Sequence, residues 1–153
     1  MISPVKPLVQ EADELAFNLK AGQVAICPTD TLPALAACPE KAYLLWSIKR
    51  RPYCKPLILL GASANSLIDL VEPFAANDAL EMADRYWPGA LTLVLPALGE
   101  IVGDLNPSIG NGTLGMRVPA CSITRALLKK TGPLATTSAN ISGETPVKDA
   151  LEA

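Results

Sequence analysis

The chain has 153 residues, half of them hydrophobic, with 13 Lys and Arg against 15 Asp and Glu and no histidine. That length and apolar content suit one domain with a real core, and a net charge of −2 gives no global field toward nucleic acid or a membrane surface. Without histidine, Ser-His and Cys-His nucleophilic schemes are excluded, so chemistry must rest on carboxylates, metal ions, or positioning and charge stabilisation.

From Leu8 to Lys20 the apolar residues fall on one face of a helix, with Gly22 as its stop. Val24 to Cys27 reads as a short buried strand closed by Pro28. The polar turn Pro28-Thr29-Asp30-Thr31-Leu32-Pro33 follows directly, where α/β proteins gather ligand groups. The plainer alternative is a turn in which Asp30 and the threonines bond their own backbone. Leu35 to Cys38 is a further small apolar segment. Glu40 to Arg50 predicts a helix with Ala42, Leu44, Leu45 and Ile48 inward and Lys49 and Arg50 in its last turn, where cations suit the helix dipole. Leu57 to Gly61 is a fully apolar run, expected as a central strand.

Ser63 to Leu70 predicts a short helix opened by a serine cap, and Asn77 to Arg85 a longer one capped by Asn77. Trp87-Pro88-Gly89 ends it, and Ala90 to Leu95 is the next strand. Gly99 to Gly112, rich in Gly and Asn, is expected to be a loop. Thr113 to Val118 resumes as a strand interrupted by Gly115. Ser122 is expected to cap a helix through Lys130, with Ile123, Ala126, Leu127 and Leu128 facing the core. Leu134 to Thr137 is a last strand, running into the small-polar turn Ser138 to Gly143. The interleaving predicts an α/β (α+β) single domain, a twisted mixed sheet with flanking helices.

The cysteines at 27, 38, 54 and 121 show no CxxC spacing, so reduced thiols and no metal site are expected. Met1 to Pro7 does not read as a signal peptide, and no apolar run approaches the ~18–20 residues of a membrane span. The expectation is a soluble, cytoplasmic protein.

Four of the Lys and Arg residues, Lys49, Arg50, Arg51 and Lys55, crowd the segment between a helix and a strand. With the polar turns at 28–31, 112–117 and 136–140 they make material for a phosphate site, in which hydroxyls and amides hold oxygens and cations neutralise charge. Neither a Walker loop nor GxGxxG is present. Arg117, charged within a strand, needs a ligand or an ion-pair partner at the sheet edge.

These segments, in order Cys27-Pro28-Thr29-Asp30-Thr31, Lys49-Arg50-Arg51-Pro52 with Lys55-Pro56-Leu57, Trp87-Pro88-Gly89 with Leu91-Thr92, Met116-Arg117-Val118-Pro119, and Thr137 to Gly143, cover nearly the whole chain. On them it resembles the Sua5/YrdC/YciO family, whose enzymes are threonylcarbamoyl-AMP synthases on the route to the tRNA modification N6-threonylcarbamoyladenosine. The resemblance implies that Lys49 and Arg51 are the family's catalytic KxR pair, with Arg51 and Lys55 at the ATP phosphates. It implies that Thr113, Ser138 and Asn140 contact the nucleotide, the last two as the SxN pair. Thr31, Arg117 and Thr136 would hold L-threonine.

The implied substrates are ATP, L-threonine and bicarbonate, with Mg²⁺. The implied partners are double-stranded RNA or tRNA and the downstream enzymes of the modification. Two departures stand out. Leu32-Pro33-Ala34-Leu35-Ala36 replaces a stretch that in synthases carries an aromatic and a glycine. Family domains also continue beyond the SxN turn, so residues 1–153 are expected to form one YrdC-like domain lacking the usual C-terminal end. The alternative reading is a non-catalytic YciO-like protein that binds nucleotide or double-stranded RNA.

Overall fold

The computed structural model describes residues 9–107 and 112–149. Six strands form one sheet: β1 (Ala25–Cys27), β2 (Ala34–Ala37), β3 (Ile58–Leu60), β4 (Leu93–Pro96), β5 (Thr113–Arg117) and β6 (Leu134–Ser138). Their order across the sheet is β1-β2-β6-β3-β5-β4. Only β3 and β5 run parallel; every other neighbouring pair is antiparallel. The apolar run at 57–61 is therefore central, between β6 and β5, as its composition predicts.

The register decides which side chains share a face, because successive residues of a strand point to opposite sides. On one face lie Leu35, Leu59, Met116 and Ala135, packed beneath α2 (Tyr43–Lys49), α3 (Asn65–Ile68), α4 (Ala76–Tyr86) and α5 (Glu100–Leu105). On the other, Ala25, Ala36, Leu60 and Leu134 pack against Ala16 and Leu19 of α1 (Ala12–Lys20) and Leu127 and Leu128 of α6 (Ser122–Thr131). Neither core cluster includes the β5 and β4 residues of this second face, Thr113, Gly115, Arg117 and Val94. Val94 is 68% exposed. One face is thus closed, and the other is covered only at the β1-β2-β6-β3 side.

Local expectations fail where tertiary burial outweighs local composition. The segment 99–112 is not all loop: α5 forms within it, led by Gly99 at φ +89°. Its Leu105 is fully buried and its carbonyl accepts the Leu57 amide at 2.8 Å, so packing onto β3 stabilises a helix that composition disfavours. Asn77 is not a cap; a 3₁₀ turn at Pro73–Ala75 feeds α4 directly, leaving Asn77 inside the helix. Ser63 does not cap α3 with its side chain. Instead the Ser66 hydroxyl donates to the Ser63 carbonyl at 2.6 Å and accepts its amide. Ser122 is the first helical residue of α6 rather than its cap.

On α6 the buried positions are Thr124, Leu127 and Leu128, whereas Ile123 and Ala126 are exposed. On α2, Ile48 is exposed and Trp46 and Lys49 are buried. A 3₁₀ turn at Pro39–Lys41 precedes that helix and shifts its start to Tyr43. The first helix begins at Ala12, and Leu8 lies outside the described residues.

Leu59, wholly buried on the central strand, should be the costliest apolar truncation. Leu59→Ala is expected to lose about 2–5 kcal/mol in urea unfolding, whereas Phe74→Ala, at an exposed site, should stay within about 0.5 kcal/mol. Equal losses would contradict this placement of the core.

Candidate functional site: a cleft at the open end of the sheet

Where α1 and α6 leave the sheet uncovered, a cleft of about 160 Å³ opens. Its floor is Ile58 and Leu60 of β3, Thr136, Thr137 and Ser138 of β6, and Ala34 of β2. Its walls are Thr29, Thr31, Leu32 and Pro33 of the turn between β1 and β2, with Thr92 and Arg117 opposite. The turn's shape is local: the Thr29 hydroxyl accepts the Thr31 amide at 3.0 Å and donates to the Leu32 carbonyl at 2.7 Å. That much of the self-bonded alternative holds. Asp30 and Thr31 turn outward to another partner.

That partner is Arg117, at the end of β5. Its Nε donates to the Gly89 carbonyl at 2.9 Å, its Nη1 to the Thr31 hydroxyl at 2.9 Å and its Nη2 to the Asp30 carboxylate at 2.5 Å. The Arg117 and Asp30 side chains are 11% and 19% exposed, so the pair sits largely out of water yet on the cleft wall. The guanidinium retains N–H groups beyond these three contacts, which suits a planar acceptor such as a carboxylate. Gly89 belongs to the Trp87-Pro88-Gly89 turn, whose Trp87–Pro88 bond is cis. A Cβ at Gly89 would lie 2.4 Å from the Tyr86 carbonyl oxygen, so only glycine allows the approach that presents its own carbonyl to Arg117. The Thr124 hydroxyl donates to the Pro28 carbonyl, fixing the base of the polar turn on α6.

Thr31, Thr136, Ser138 and Arg117 therefore come together in one cleft. Thr136 is buried, its hydroxyl donating to the Ile58 carbonyl at 3.0 Å. The remaining candidates do not line the cleft. Arg51 folds back on its own loop, Nε donating to the Lys55 carbonyl at 3.1 Å and Nη2 to that of Pro56 at 2.9 Å. The same loop is held by Trp46, whose Nε1 donates to the Lys55 carbonyl and whose ring stacks on Tyr53 at 5.4 Å. The Lys55 side chain is exposed at its rim. Thr113 lies on the open half of the sheet, its carbonyl accepting from Asn106 Nδ2 at 2.9 Å.

Asn140 closes the turn after β6, receiving the Ser138 hydroxyl on Oδ1 at 2.5 Å and donating to the Ile141 and Glu144 carbonyls at 2.9 Å. Lys49, expected among the substrate-facing cations, is instead 2% exposed on the closed face. Its Nζ donates to the Ser138 carbonyl at 2.7 Å, to Thr137 Oγ1 at 3.1 Å and to Ser138 Oγ at 3.3 Å. Burial, and then the nearby Arg51 and Lys55 charges, lower its ammonium from the ordinary 10.5 to about 8.

Sequence reasoning gave Asp30 no role beyond its own turn and left Gly89 and Thr29 out of the site. The signal for Asp30 lay in Arg117, whose charge within a strand calls for a carboxylate. The cysteines offer no nucleophile in the cleft: burial, with Cys121 nearby, pushes the Cys27 thiol up to about 12. No group of three or more His, Cys, Asp or Glu among the described residues could hold a metal ion. Nor is any helix among them long and apolar enough to cross a membrane.

The sequence model of the Sua5_yciO_yrdC family, described as "Telomere recombination", matches residues 18–153. A Mycobacterium tuberculosis (strain H37Rv) protein is 35% identical over 138 residues, 88% of this chain and 62% of its own. The Bacillus subtilis (strain 168) threonylcarbamoyl-AMP synthase is 34% identical over 152 residues, 89% of this chain and 43% of that protein. The crystal structure of P. abyssi Sua5 complexed with L-threonine superposes with a TM-score of 0.78 at 30% identity, covering 92% of this chain and 42% of that one. The chain thus spans between 42% and 62% of the length of these three relatives. By the extent of the family match and the shared fold, the chain belongs to the Sua5/YciO/YrdC family.

Proposed function

We propose that this chain is an L-threonylcarbamoyladenylate synthase, forming threonylcarbamoyl-AMP and pyrophosphate from L-threonine, bicarbonate and ATP. The observation that carries the reading is the Arg117 guanidinium on the wall of a cleft between Thr31 and Thr136. At about 160 Å³ the cleft lies below the ~300–1,000 Å³ of typical drug-sized sites, so it suits an amino acid rather than a nucleotide. ATP would then lie along the uncovered β5–β4 half, near Thr113 and the Ser138–Asn140 turn, with its phosphates toward Arg51 and Lys55.

Threonine binds with its carboxylate on the free N–H groups of Arg117 and its hydroxyl near Thr31 and Thr136. Its amine attacks bicarbonate carbon, water leaves, and an N-carboxy-threonine results. An oxygen of the new carboxylate attacks the α-phosphorus of ATP, and the bond to pyrophosphate breaks. No histidine is needed, because positioning and stabilisation of the separating charge supply the acceleration. Mg²⁺ enters as part of the ATP substrate, because it is held by phosphates and a few carboxylates rather than by a dedicated protein cage. The product is a reactive mixed anhydride whose consumers are enzymes that transfer the threonylcarbamoyl group to tRNA, and the reading includes a cytoplasmic location. A role for double-stranded RNA on the open sheet face belongs to the same reading.

Pyrophosphate release that depends on all three substrates tests the function. Nucleotide or RNA binding with no turnover would replace the enzyme with the binding module. Arg117→Ala should lower kcat/KM for threonine about 10- to 100-fold, the range for losing hydrogen bonds to a charged group, while leaving ATP affinity nearly unchanged. Arg117→Lys should recover little, since a point charge cannot replace the fork. Arg51→Ala should act on the other substrate, raising KM for ATP roughly 10-fold with threonine KM unaltered. Variants that shift both substrates equally would contradict the division of the site.

A further inference from the structure

The side chain that the proposed reaction does not use directly is the buried ammonium of Lys49. It lies on α2, beneath the closed face of the sheet, whereas the cleft opens on the other face. Each of its N–H groups already has an acceptor: the Ser138 carbonyl, Thr137 Oγ1 and Ser138 Oγ. No donor is left for a phosphate oxygen. None of the described salt bridges involves it, and its charged neighbours Arg51 and Lys55 have the same sign. An uncompensated buried charge is costly and is tolerated where its hydrogen bonds are complete.

What those bonds fix is one turn. An ammonium can only donate, so the Ser138 hydroxyl, accepting from Lys49, sends its own hydrogen to Asn140 Oδ1 at 2.5 Å. Asn140 Nδ2 in turn holds the Ile141 and Glu144 carbonyls, and the Lys49 carbonyl accepts the Ser142 amide at 3.3 Å. Side chain and backbone of one residue thus clamp both ends of 138–142. We propose that Lys49 is a positioning residue: it touches no substrate and acts through Ser138 and Asn140, setting the nucleotide-side turn from behind the sheet. The inference rests on the reading of that turn as part of the ATP site.

The test uses the full chain and Lys49→Met, which keeps the stem and removes the donors. Amide hydrogen exchange at 138–144 should rise at least 10-fold while β3 and β5 amides stay protected. Dissociation constants for ATP and AMP should rise by the same factor, because no contact to the outer phosphates is lost. Weakened ATP binding with AMP binding and turn exchange unchanged would make Lys49 a phosphate ligand and overturn the proposal. So would unchanged exchange with unchanged affinities.

If Lys49→Met fails to fold, the wild-type chain supplies the measurement. Turn exchange should be slow and AMP affinity full below pH 8. Protection of the turn amides, taken relative to their intrinsic exchange rate at each pH, should fall and affinity weaken as the pH passes through about 8 and the ammonium loses its proton. A turn and an AMP affinity indifferent to pH between 7 and 9 would overturn the assignment. If the wild-type chain binds no nucleotide, the proposed function fails, and the exchange measurement still decides the role of Lys49.

Discussion

The site depends on one contact across the sheet, the guanidinium of Arg117 against Asp30 and Thr31. It joins the end of β5 to the turn after β1, elements that the sheet order keeps apart. A carboxylate alone would hold Arg117 by charge. The added hydroxyl of Thr31 and carbonyl of Gly89 fix the plane of the fork, and a fixed plane is what bidentate recognition of a carboxylate requires. Asp30 also balances the charge of the guanidinium where it is largely shielded from water.

The two faces of the sheet divide the labour. The closed face buries Leu59, Leu114, Met116 and Ala135 under four helices and so anchors β3, β5 and β6. The half-open face uses that anchorage, since Thr136 and Arg117 project from the same strands whose alternate residues are core. Lys49 belongs to the closed face and reaches the site only through the end of β6. Although only six residues separate them in the sequence, Lys49 is buried and Lys55 is exposed.

Much of this was legible from residues. The alternation of strands and helices, the central apolar run at 57–61 and the polar strand exits gave the layer structure and most of the cleft. The sequence pattern singled out the polar stretches 28–31, 112–117 and 136–140 because each adjoins the exit of a strand, and Thr31, Thr136, Ser138 and Arg117 from these stretches line one cleft. It could not place Lys49 or Arg51, since a helix-end cation reads the same whether its stem runs outward or into the core. It missed α5 because Gly99 and Gly103 argue for a loop, and only the burial of Leu105 against β3 outweighs them. The family resemblance supplied the substrates, which no spacing or periodicity carries.

The central claim is that Arg117 receives the carboxylate of an amino acid. Calorimetric titration with L-threonine and with L-threoninamide, which lacks that carboxylate, tests it most directly. The account predicts saturable binding of L-threonine and at least a 10-fold weaker interaction with the amide, the range for losing a charged hydrogen-bond acceptor. Equal binding of both would place the carboxylate elsewhere and contradict the account.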